Sequence, residues 1–257
     1  MQKNFNDRLI SLLSVFIFVM AWQIIARLKV VDPVYIGQPL EILKESFNFF
    51  ASGEIYEHIV ASGVTFFLGF SVAILFGVTL GLLTGTNRTL YNIVSPYIFA
   101  IHSTPIIALF PLIIIWFGVG IEAKVVIIFL MTVVPILANT IDSARSMDAS
   151  LIKMAKSFEA GKLFVLKTII FQASVPYILS GIRVATGRAI IALIISEFYG
   201  YGKGVGYLVS FYGQTFQTDK LMSLVLLLIL FSFSILKAIN IAEQRLLKWK
   251  QPDSEHI

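Results

Sequence analysis

Six long apolar runs dominate this chain, and they leave little room for any fold other than a bundle of membrane helices. The hydrocarbon core of a bilayer is about 30 Å thick, which a helix crosses in about 20 residues. Charged residues make up 14% of the chain, against about 25% in a soluble domain. The sequence therefore predicts an all-α integral membrane protein, a single transmembrane domain over residues 1–257 with about six spans. These spans are predicted at residues 9–27, 59–84, 93–117, 123–141, 173–198 and 221–243.

The first run has a second interpretation, because a basic start followed by an apolar stretch is also typical of a signal peptide. No small-x-small cleavage site follows the run, and the next residues are Arg27, Leu28 and Lys29. We therefore expect an uncleaved first helix with its N-terminus inside the cell.

The distribution of positive charge predicts the orientation of the spans. Twelve of the twenty Lys and Arg residues fall in segments that this topology places inside, and six fall in segments that it places outside. Cytoplasmic loops of membrane proteins carry such an excess of Lys and Arg. The bias predicts a multi-pass protein with both termini in the cytoplasm.

Residues 142–172 form the longest charged insertion on the predicted inner side, with five basic and three acidic residues. Asp148 is a predicted N-cap, and Leu151, Ile152, Ala155 and Phe158 recur at helical spacing after it. Gly161 interrupts the pattern before a second short helix. Two short basic helices with an apolar ridge are suited to lying on anionic lipid or to docking on a cytoplasmic protein.

The third run contains three prolines, with His102, Ser103 and Thr104 directly before Pro105. Proline removes a backbone hydrogen bond, which a membrane helix tolerates only where neighbours or water satisfy the freed carbonyl. A broken helix beside a polar patch is a reasonable element of a translocation path. The alternative is a kinked packing helix in which His102 is satisfied by a neighbour.

The fifth run carries Arg183, Arg188 and Glu197. Charged side chains within a span usually face the interior of the bundle or a water-filled cavity. This helix is therefore the predicted wall of a pathway. Arg183 also has a structural alternative, because it lies near enough to the inner end to snorkel or to cap a neighbouring helix.

Glycines suggest two further local structures. Gly77, Gly81 and Gly85 share one face of the second span, which permits close helix packing within the subunit or between subunits. The predicted outer loop 198–220 holds four alternating glycines from position 200 to 206, interpreted as a flexible turn. In the outer segment before the second span, periodic apolar residues predict a short amphipathic helix on the outer surface. They are Leu40, Leu43, Phe47 and Phe50.

Catalytic and cofactor motifs are missing from the sequence. There is no phosphate-binding G-x-x-x-x-G-K-[ST] loop, no cysteine and no Ser-His-Asp order, and the three histidines are scattered. We predict no enzyme activity, no cofactor, no metal centre and no nucleic-acid partner. If transport is active, a partner must supply the energy.

Several motifs occur in a recognisable order along the chain. They are Ser103-Thr104-Pro105, Pro111, Trp116-Phe117-Gly118, Pro135-Ile136-Leu137-Ala138-Asn139-Thr140, Asp148, Pro176 and Gly204-Val205-Gly206-Tyr207-Leu208. With these motifs the chain resembles, over roughly residues 35–249, the permease subunits of ATP-binding-cassette (ABC) importers of the nitrate, sulfonate, taurine and thiamine-precursor type. The family's loop signature is Glu-Ala-Ala, three residues, Gly, nine residues and Ile-x-Leu-Pro. This chain keeps only Ala155 and Ile169 of that signature, and departs from it at Lys153, Met154, Glu159, Phe171 and Gln172.

The resemblance implies a type I ABC-importer permease fold with a cytoplasmic coupling-helix pair in residues 142–172. It implies an ATPase subunit, an extracytoplasmic solute-binding protein and a second permease chain, identical or different, as partners in the inner membrane. The residues then expected to couple to the ATPase are Leu151, Lys153, Ala155, Phe158, Glu159, Ala160 and Gly161. Those expected to line the translocation pathway are His102, Ser103, Thr104, Pro105, Arg183, Arg188 and Glu197.

The function implied by the resemblance is import of a small solute by alternating access, driven by the partner ATPase. The solute could be a sulfonate, nitrate, taurine or a thiamine precursor or other heteroaromatic compound. A partnerless secondary transporter or channel is the alternative. Inverted repeats would favour a secondary transporter, and none is evident in the sequence.

Overall fold

The computed structural model describes residues 5–199 and 202–247, and all regular secondary structure in these two ranges is helical. The helices are α1 (Phe5–Arg27), α2 (Pro33–Ile36), α3 (Pro39–Ser52), α4 (Glu54–Thr86), α5 (Arg88–Ser103), α6 (Phe110–Phe117), α7 (Ile121–Arg145), α8 (Ala149–Ser157), α9 (Lys162–Phe164), α10 (Phe171–Phe198), α11 (Val205–Gln214) and α12 (Thr218–Leu246). A 3₁₀ turn (Ile106–Leu109) precedes α6, and a π-helical turn (Val165–Ile170) joins α9 to α10.

Four helices in the described ranges are long and apolar enough to cross a bilayer unaided. They are Glu54–Thr86, Ile121–Arg145, Lys162–Phe198 and Thr218–Leu246. A fifth crossing results if α5 and the segment Ile106–Phe117 form one broken span, and Leu12–Arg27 is a shorter apolar helix. All six predicted apolar runs are therefore helical, but only some of these helices are long and apolar enough to cross the membrane as a single unbroken helix.

Helices α4 and α7 pack with their backbones unusually close, because glycines recur along the contacting face of α4. A Cβ atom at Gly77 would fall 2.8 Å from Ile136 of α7, and one at Gly81 would fall 2.6 Å from Thr140. Gly85 meets α7 in the same way. The small-residue face predicted from the sequence thus packs within the subunit, which is the first of the two alternatives.

Helix α7 lies at the centre of the bundle, between α4 and α10. Its buried residues Ile127, Ile128 and Ile136 belong to the main core together with Leu193 of α10. On the α10 side, a Cβ at Gly181 would lie 3.2 Å from the carbonyl oxygen of Pro135, so close packing occurs here too. This packing leaves other faces of α10 free to contact α4 and α12, and Glu197 and Arg183 lie on those faces.

The third predicted span consists of two helices, in agreement with the broken helix that the sequence indicated. The axes of α5 and Ile106–Phe117 differ by 84°. Thr104 adopts an extended conformation (φ −81°, ψ 130°), as a residue before proline prefers. The Thr104 hydroxyl donates a 2.7 Å hydrogen bond to the carbonyl of Ala100, which satisfies a group at the end of α5. Pro105 therefore breaks the helix rather than bending it.

The outer segment 198–220 also differs from the flexible loop that was predicted. Residues Val205–Gln214 form α11, which packs against α10 and α12. Its N-terminal residues Val205, Gly206 and Leu208 are buried. Gly204 and Gly206 serve close packing against Glu197 rather than flexibility, whereas Gly202 makes no such contact within the described ranges and Gly200 lies outside them.

The second helix of the cytoplasmic insertion is continuous with the fifth span. Helix α9, the π-helical turn and α10 form one 37-residue helix, Lys162–Phe198, so the second short helix is not separated from the fifth span by a break. At the other end, α7 extends to Arg145, beyond the predicted end at 141. Within the insertion 142–172, α8 and its two flanking turns are therefore the part that lies between the two long helices α7 and Lys162–Phe198.

The outer amphipathic helix exists as α3, but it presents a different face to the protein than the sequence indicated. The buried residues of α3 are Pro39, Ile42 and Phe49, whereas the predicted stripe is exposed. The exposed stripe consists of Leu40, Leu43, Phe47 and Phe50. In a membrane protein apolar residues face lipid as well as core, so apolar periodicity alone does not identify the packed face.

Candidate translocation cavity and coupling surface

The break after α5 opens a cavity of about 170 Å³ against α7 and α10. His102, Thr104 and Pro105 line it from the break, Leu130 and Met131 from α7, and Arg188 from α10. The structure therefore brings together four of the seven predicted pathway residues. Ser103 is exposed beside them and is not part of the lining.

Arg188 is half-buried at this cavity. Within the described ranges its guanidinium has no hydrogen bond and no ion pair, and no carboxylate lines the cavity. A charged side chain in a membrane-spanning helix normally has a partner or faces water. The cavity is thus a positively charged opening in an otherwise apolar part of the bundle.

Arg183 does not reach this cavity and instead links two helices. Its guanidinium donates to Asn240 Oδ1 at 2.9 Å and forms an ion pair with Glu243, both on α12. Both side chains of the ion pair are partly exposed. This placement matches the structural alternative raised from the sequence, in which Arg183 caps a neighbouring helix.

Glu197, the third charged residue of the fifth span, is 0% exposed. Its Oε1 accepts a 2.7 Å hydrogen bond from the Ser62 hydroxyl, and its Oε2 accepts one of 2.7 Å from the backbone N–H of Gly206. The backbone N–H of Val205 in turn donates to Ser62 Oγ at 2.8 Å. In this conformation Glu197, on α10, is hydrogen-bonded to α4 and to the start of α11. Its side chain faces no open cavity, whereas the sequence predicted that it lines the pathway.

Further contacts close this junction, which we call the outer clasp and define as His58, Ser62, Glu197, Gly204 and Gly206. The backbone N–H of Gly204 lies 3.1 Å from His58 Nδ1. A Cβ at Gly204 would fall 2.4 Å from the Glu197 carboxyl carbon, so only glycine leaves room for this carboxylate. The roles of His58 and Ser62 are not evident from the sequence, because no local pattern links these residues of α4 to glycines more than 140 positions later.

The predicted apolar ridge on α8 divides into a buried and an exposed part. Ala155 is 8% exposed and packs with Leu82, Val165 and Ile170 of the same chain. Phe158, by contrast, is 80% exposed. The ridge prediction is therefore wrong for Ala155, whose side chain is unavailable to a partner.

Five large apolar residues of the segment from α8 to α9 are exposed, and we call this set of residues the coupling surface. It consists of Leu151, Met154, Phe158, Leu163 and Phe164, all of them exposed. Lys153 is exposed beside them, as are Glu159 and Gly161, while Ala160 is half-buried. Large apolar side chains exposed together mark an interaction site more often than a plain solvated surface.

The two ends of α8 are fixed by local hydrogen bonds. At the start, Asp148 Oδ1 accepts a 2.8 Å hydrogen bond from the Ser150 backbone N–H, which is the predicted N-cap. The backbone N–H and the hydroxyl of Ser150 hold the pKa of Asp148 below its usual value. At the end, the Ala160 N–H donates to the Ala155 carbonyl at 3.1 Å, the pattern of a Schellman motif.

Glu159 occupies the left-handed position of this motif, with φ at +57°. Glycine is the usual residue there, because a Cβ is unfavourable in that conformation. Glycine is also the residue expected at this position of the family signature. The departure at Glu159 therefore adds local strain to the turn that presents Phe158.

A helical membrane bundle with a broken span and a cavity at Arg188 fits a membrane permease. Residues 47–248 match the family described as binding-protein-dependent transport system inner membrane component, and the chain belongs to that family. It is a non-catalytic, multi-pass inner-membrane permease of an ABC importer. The family supports this function and not the partnerless transporter or channel.

Several characterised relatives extend over most of the chain. The taurine transport system permease TauC of Escherichia coli K12 is 25% identical over 245 residues, which cover 93% of this chain and 89% of that protein. A putative aliphatic sulfonates permease, SsuC of Bacillus subtilis 168, is 29% identical over 240 residues, with 93% and 87% covered. The formylaminopyrimidine transport permease ThiX of Halalkalibacterium halodurans is 26% identical over 230 residues, with 90% and 91% covered.

A solved structure has the same fold. Inward-facing MetNI, a methionine ABC transporter, superposes with a TM-score of 0.58 at 19% identity, covering 76% of this chain and 93% of that chain. The type I ABC-importer permease fold expected from the sequence is thereby confirmed.

Proposed function

We propose that this chain forms the membrane pathway of an importer whose energy comes from a separate ATPase subunit. An extracytoplasmic binding protein delivers the solute, and a second permease chain, identical or different, completes the pathway. The observation that carries this proposal is the coupling surface, where Phe158 is 80% exposed. A large aromatic side chain at the tip of a short helix is suited to filling a pocket on a partner.

The shape of the insertion supports docking on a protein rather than flat binding to lipid. Helix α8 is attached to the bundle through Ala155, Val165 and Ile170, so its exposed residues are held in a defined position. A movement of the coupling surface would be passed to the long helix Lys162–Phe198. This helix begins at the coupling surface and ends at the outer clasp. Displacement of its inner end by a partner would move the wall that carries Arg188.

Alternating access follows from this connection. Closure of the ATPase subunits would shift α8 and the inner end of the long helix, and the bundle would re-tilt around the cavity at Arg188. In this orientation both chain termini lie in the cytoplasm, on the side of the coupling surface. The excess of Lys and Arg in the segments on that side supports the assignment.

The relatives bear names of small polar solutes, namely taurine, aliphatic sulfonates and formylaminopyrimidine. We therefore place the solute of this importer among small polar organic molecules.

Disulfide cross-linking tests the contact with the ATPase directly, because the chain contains no cysteine. Phe158→Cys should form a cross-link to a single cysteine placed in the groove of the co-expressed ATPase subunit. Ala155→Cys is the matched control, since it lies on the same helix but is 8% exposed, and it should not react. Labelling of Phe158→Cys by lipid-borne probes alone would refute the contact.

A further inference from the structure

We propose that the apolar cavity beside the outer clasp is a binding site for one acyl chain of a membrane phospholipid. The cavity has a volume of about 280 Å³ and is bounded by residues of α3, α4, α10, α11 and α12. It shares no lining residue with the cavity at Arg188. The inference therefore goes beyond the proposed function, because it concerns neither the solute nor the ATPase.

The lining of this cavity leaves no free donor for a polar occupant. Ser62 contributes its polar side chain, and the other lining residues are apolar. The Ser62 hydroxyl donates to Glu197 Oε1 at 2.7 Å and accepts from the Val205 N–H at 2.8 Å. A buried water typically needs about two to four polar partners, and cavities without them stay dry. The space therefore suits a hydrocarbon rather than water or a polar solute.

Gly63 borders the cavity and has no packing reason to be a glycine. Further along α4, a Cβ at Gly69 or Gly77 would fall 2.8 Å from a side chain of α7. At Gly63, by contrast, no residue of the described ranges lies within 4 Å of the Cβ position, and the residue lies within the helix. Glycine inside a helix is less stable than alanine, and an empty cavity costs further stability. Both costs are explained if the missing side chain leaves room for an occupant.

The opening of the cavity lies along the hydrocarbon core of the membrane. Ile59 and Phe67 line the cavity and are 37% and 55% exposed. They lie roughly 8 and 20 Å along α4 from its first residue, Glu54, and α4 is long and apolar enough to span a bilayer. Groups exposed at this depth face acyl chains rather than water. An acyl chain is therefore the apolar molecule with direct access to the space.

The deeper wall is fixed by aromatic packing, which gives the site a defined shape. Phe231 of α12 lines the cavity and packs edge to face on Phe66, with ring centroids 5.2 Å apart. Phe66 is 0% exposed and belongs to the main core. A bound chain therefore meets a preformed surface rather than one that has to collapse around it.

A chain in this cavity would lie against the outer clasp. Ser62 belongs to the clasp, and Val205, whose N–H donates to Ser62, is 6% exposed and lines the cavity. An apolar occupant keeps water away from this hydrogen bond, and hydrogen bonds are stronger in less polar surroundings. The bound chain would therefore form part of the packing that holds the clasp together.

Photo-crosslinking in lipid nanodiscs tests the site with one defined probe, a phosphatidylglycerol that carries a diazirine in the middle of an acyl chain. In the wild-type protein the probe should label Leu228, which lines the cavity and is 8% exposed. It should also label Leu75, which is 66% exposed on α4 and lies outside the lining, and so reports ordinary contact with bulk lipid. Peptide mass spectrometry distinguishes the two adducts.

Filling the cavity should separate the two adducts. Gly63→Leu should lower the labelling of Leu228 at least about tenfold, because a leucine side chain and an acyl chain cannot share the space. The labelling of Leu75 should not change. Gly187→Leu is the matched control, since no residue of the described ranges lies within 4 Å of that Cβ position and Gly187 does not line the cavity. Both adducts should remain in this control as in the wild-type protein.

Absence of Leu228 labelling in the wild-type protein, with Leu75 labelled, would overturn the inference even if Gly63→Leu failed to fold. Equal labelling of Leu228 in Gly63→Leu and in the wild-type protein would overturn it as well. Phe67→Cys tests the other occupant of the opening, a second permease chain, because the chain contains no cysteine. Disulfide-linked permease dimers through this cysteine would overturn the lipid site, and its labelling by lipid-borne thiol probes would support the site.

Discussion

Glu197 Oε2 accepts a 2.7 Å hydrogen bond from the backbone N–H of Gly206, nine residues further along the chain. The carboxylate thereby holds the first turn of α11, whose N–H groups have no partners within their own helix. The Ser62 hydroxyl donates to the other oxygen at 2.7 Å. One buried side chain thus joins the outer end of the long helix to both α4 and α11.

Loss of this carboxylate should destabilise the outer clasp. In Glu197→Ala the Ser62 hydroxyl and the Gly206 N–H lose their buried acceptor, at roughly 1–3 kcal/mol for each donor. Glu197→Gln should cost less than Glu197→Ala, because its amide oxygen can still accept from the Gly206 N–H, although the Ser62 hydroxyl loses its carboxylate acceptor. Thermal unfolding in detergent compares the two variants. Equal destabilisation by Gln and Ala would show that the negative charge itself is required.

Gly204 should be intolerant of a side chain for two separable reasons. Its φ of +146° strains any other residue, and a Cβ would lie 2.4 Å from the Glu197 carboxyl carbon. Gly202 is the control, because its φ of +116° imposes strain but no residue of the described ranges lies within 4 Å of its Cβ position. Gly204→Ala should therefore destabilise the protein by about 1–3 kcal/mol more than Gly202→Ala. Equal melting temperatures would contradict the packing of the clasp.

Glu159→Gly should stabilise the end of α8. A left-handed conformation costs a non-glycine residue about 1–2 kcal/mol. Glycine avoids this cost but loses more conformational entropy on folding, so the net stabilisation should be about 0.5–1 kcal/mol. Slower hydrogen exchange of the α8 amides would report the change. Lys153→Gly, in the middle of the same helix, should speed exchange instead. Faster exchange in Glu159→Gly would contradict the Schellman geometry.

Arg183→Gln should have little effect on stability. The ion pair with Glu243 is partly exposed, and such pairs contribute about 0–1 kcal/mol. Transport per assembled complex should also remain close to wild type, since Arg183 lies outside the cavity lining. A collapse of transport with normal assembly would instead support the pathway role that the sequence suggested.

The sequence was sufficient for the helical runs and for the polar cluster at His102, but not for the tertiary contacts. Pro105 indicated a broken helix, yet the 84° angle of the break depends on Thr104 adopting an extended conformation. The charge of Glu197 marked it as functional, although its partners Ser62 and Gly206 come from separate helices that no local pattern connects.

The predicted apolar stripe on α8 does not hold at Phe158, and the reason is local. Phe158 follows Ser157, the last residue of the helix, so its direction departs from the periodicity that relates it to Ala155. The same periodicity cannot distinguish the face that packs on the protein's own chain from the face that meets a partner. Only the buried cluster around Ala155 makes that distinction.

We expect the coupling surface to transmit ATP-driven motion to the bundle through apolar contact. Proteoliposomes that contain the permease, its ATPase and its binding protein allow ATP hydrolysis and solute uptake to be measured together. Phe158→Ala should uncouple ATP hydrolysis from solute uptake. Lys153→Glu restores the charge of the family signature at an exposed position. It should change either rate only mildly, because exposed ion pairs contribute about 0–1 kcal/mol. Normal coupling in Phe158→Ala together with a large effect of Lys153→Glu would contradict the account.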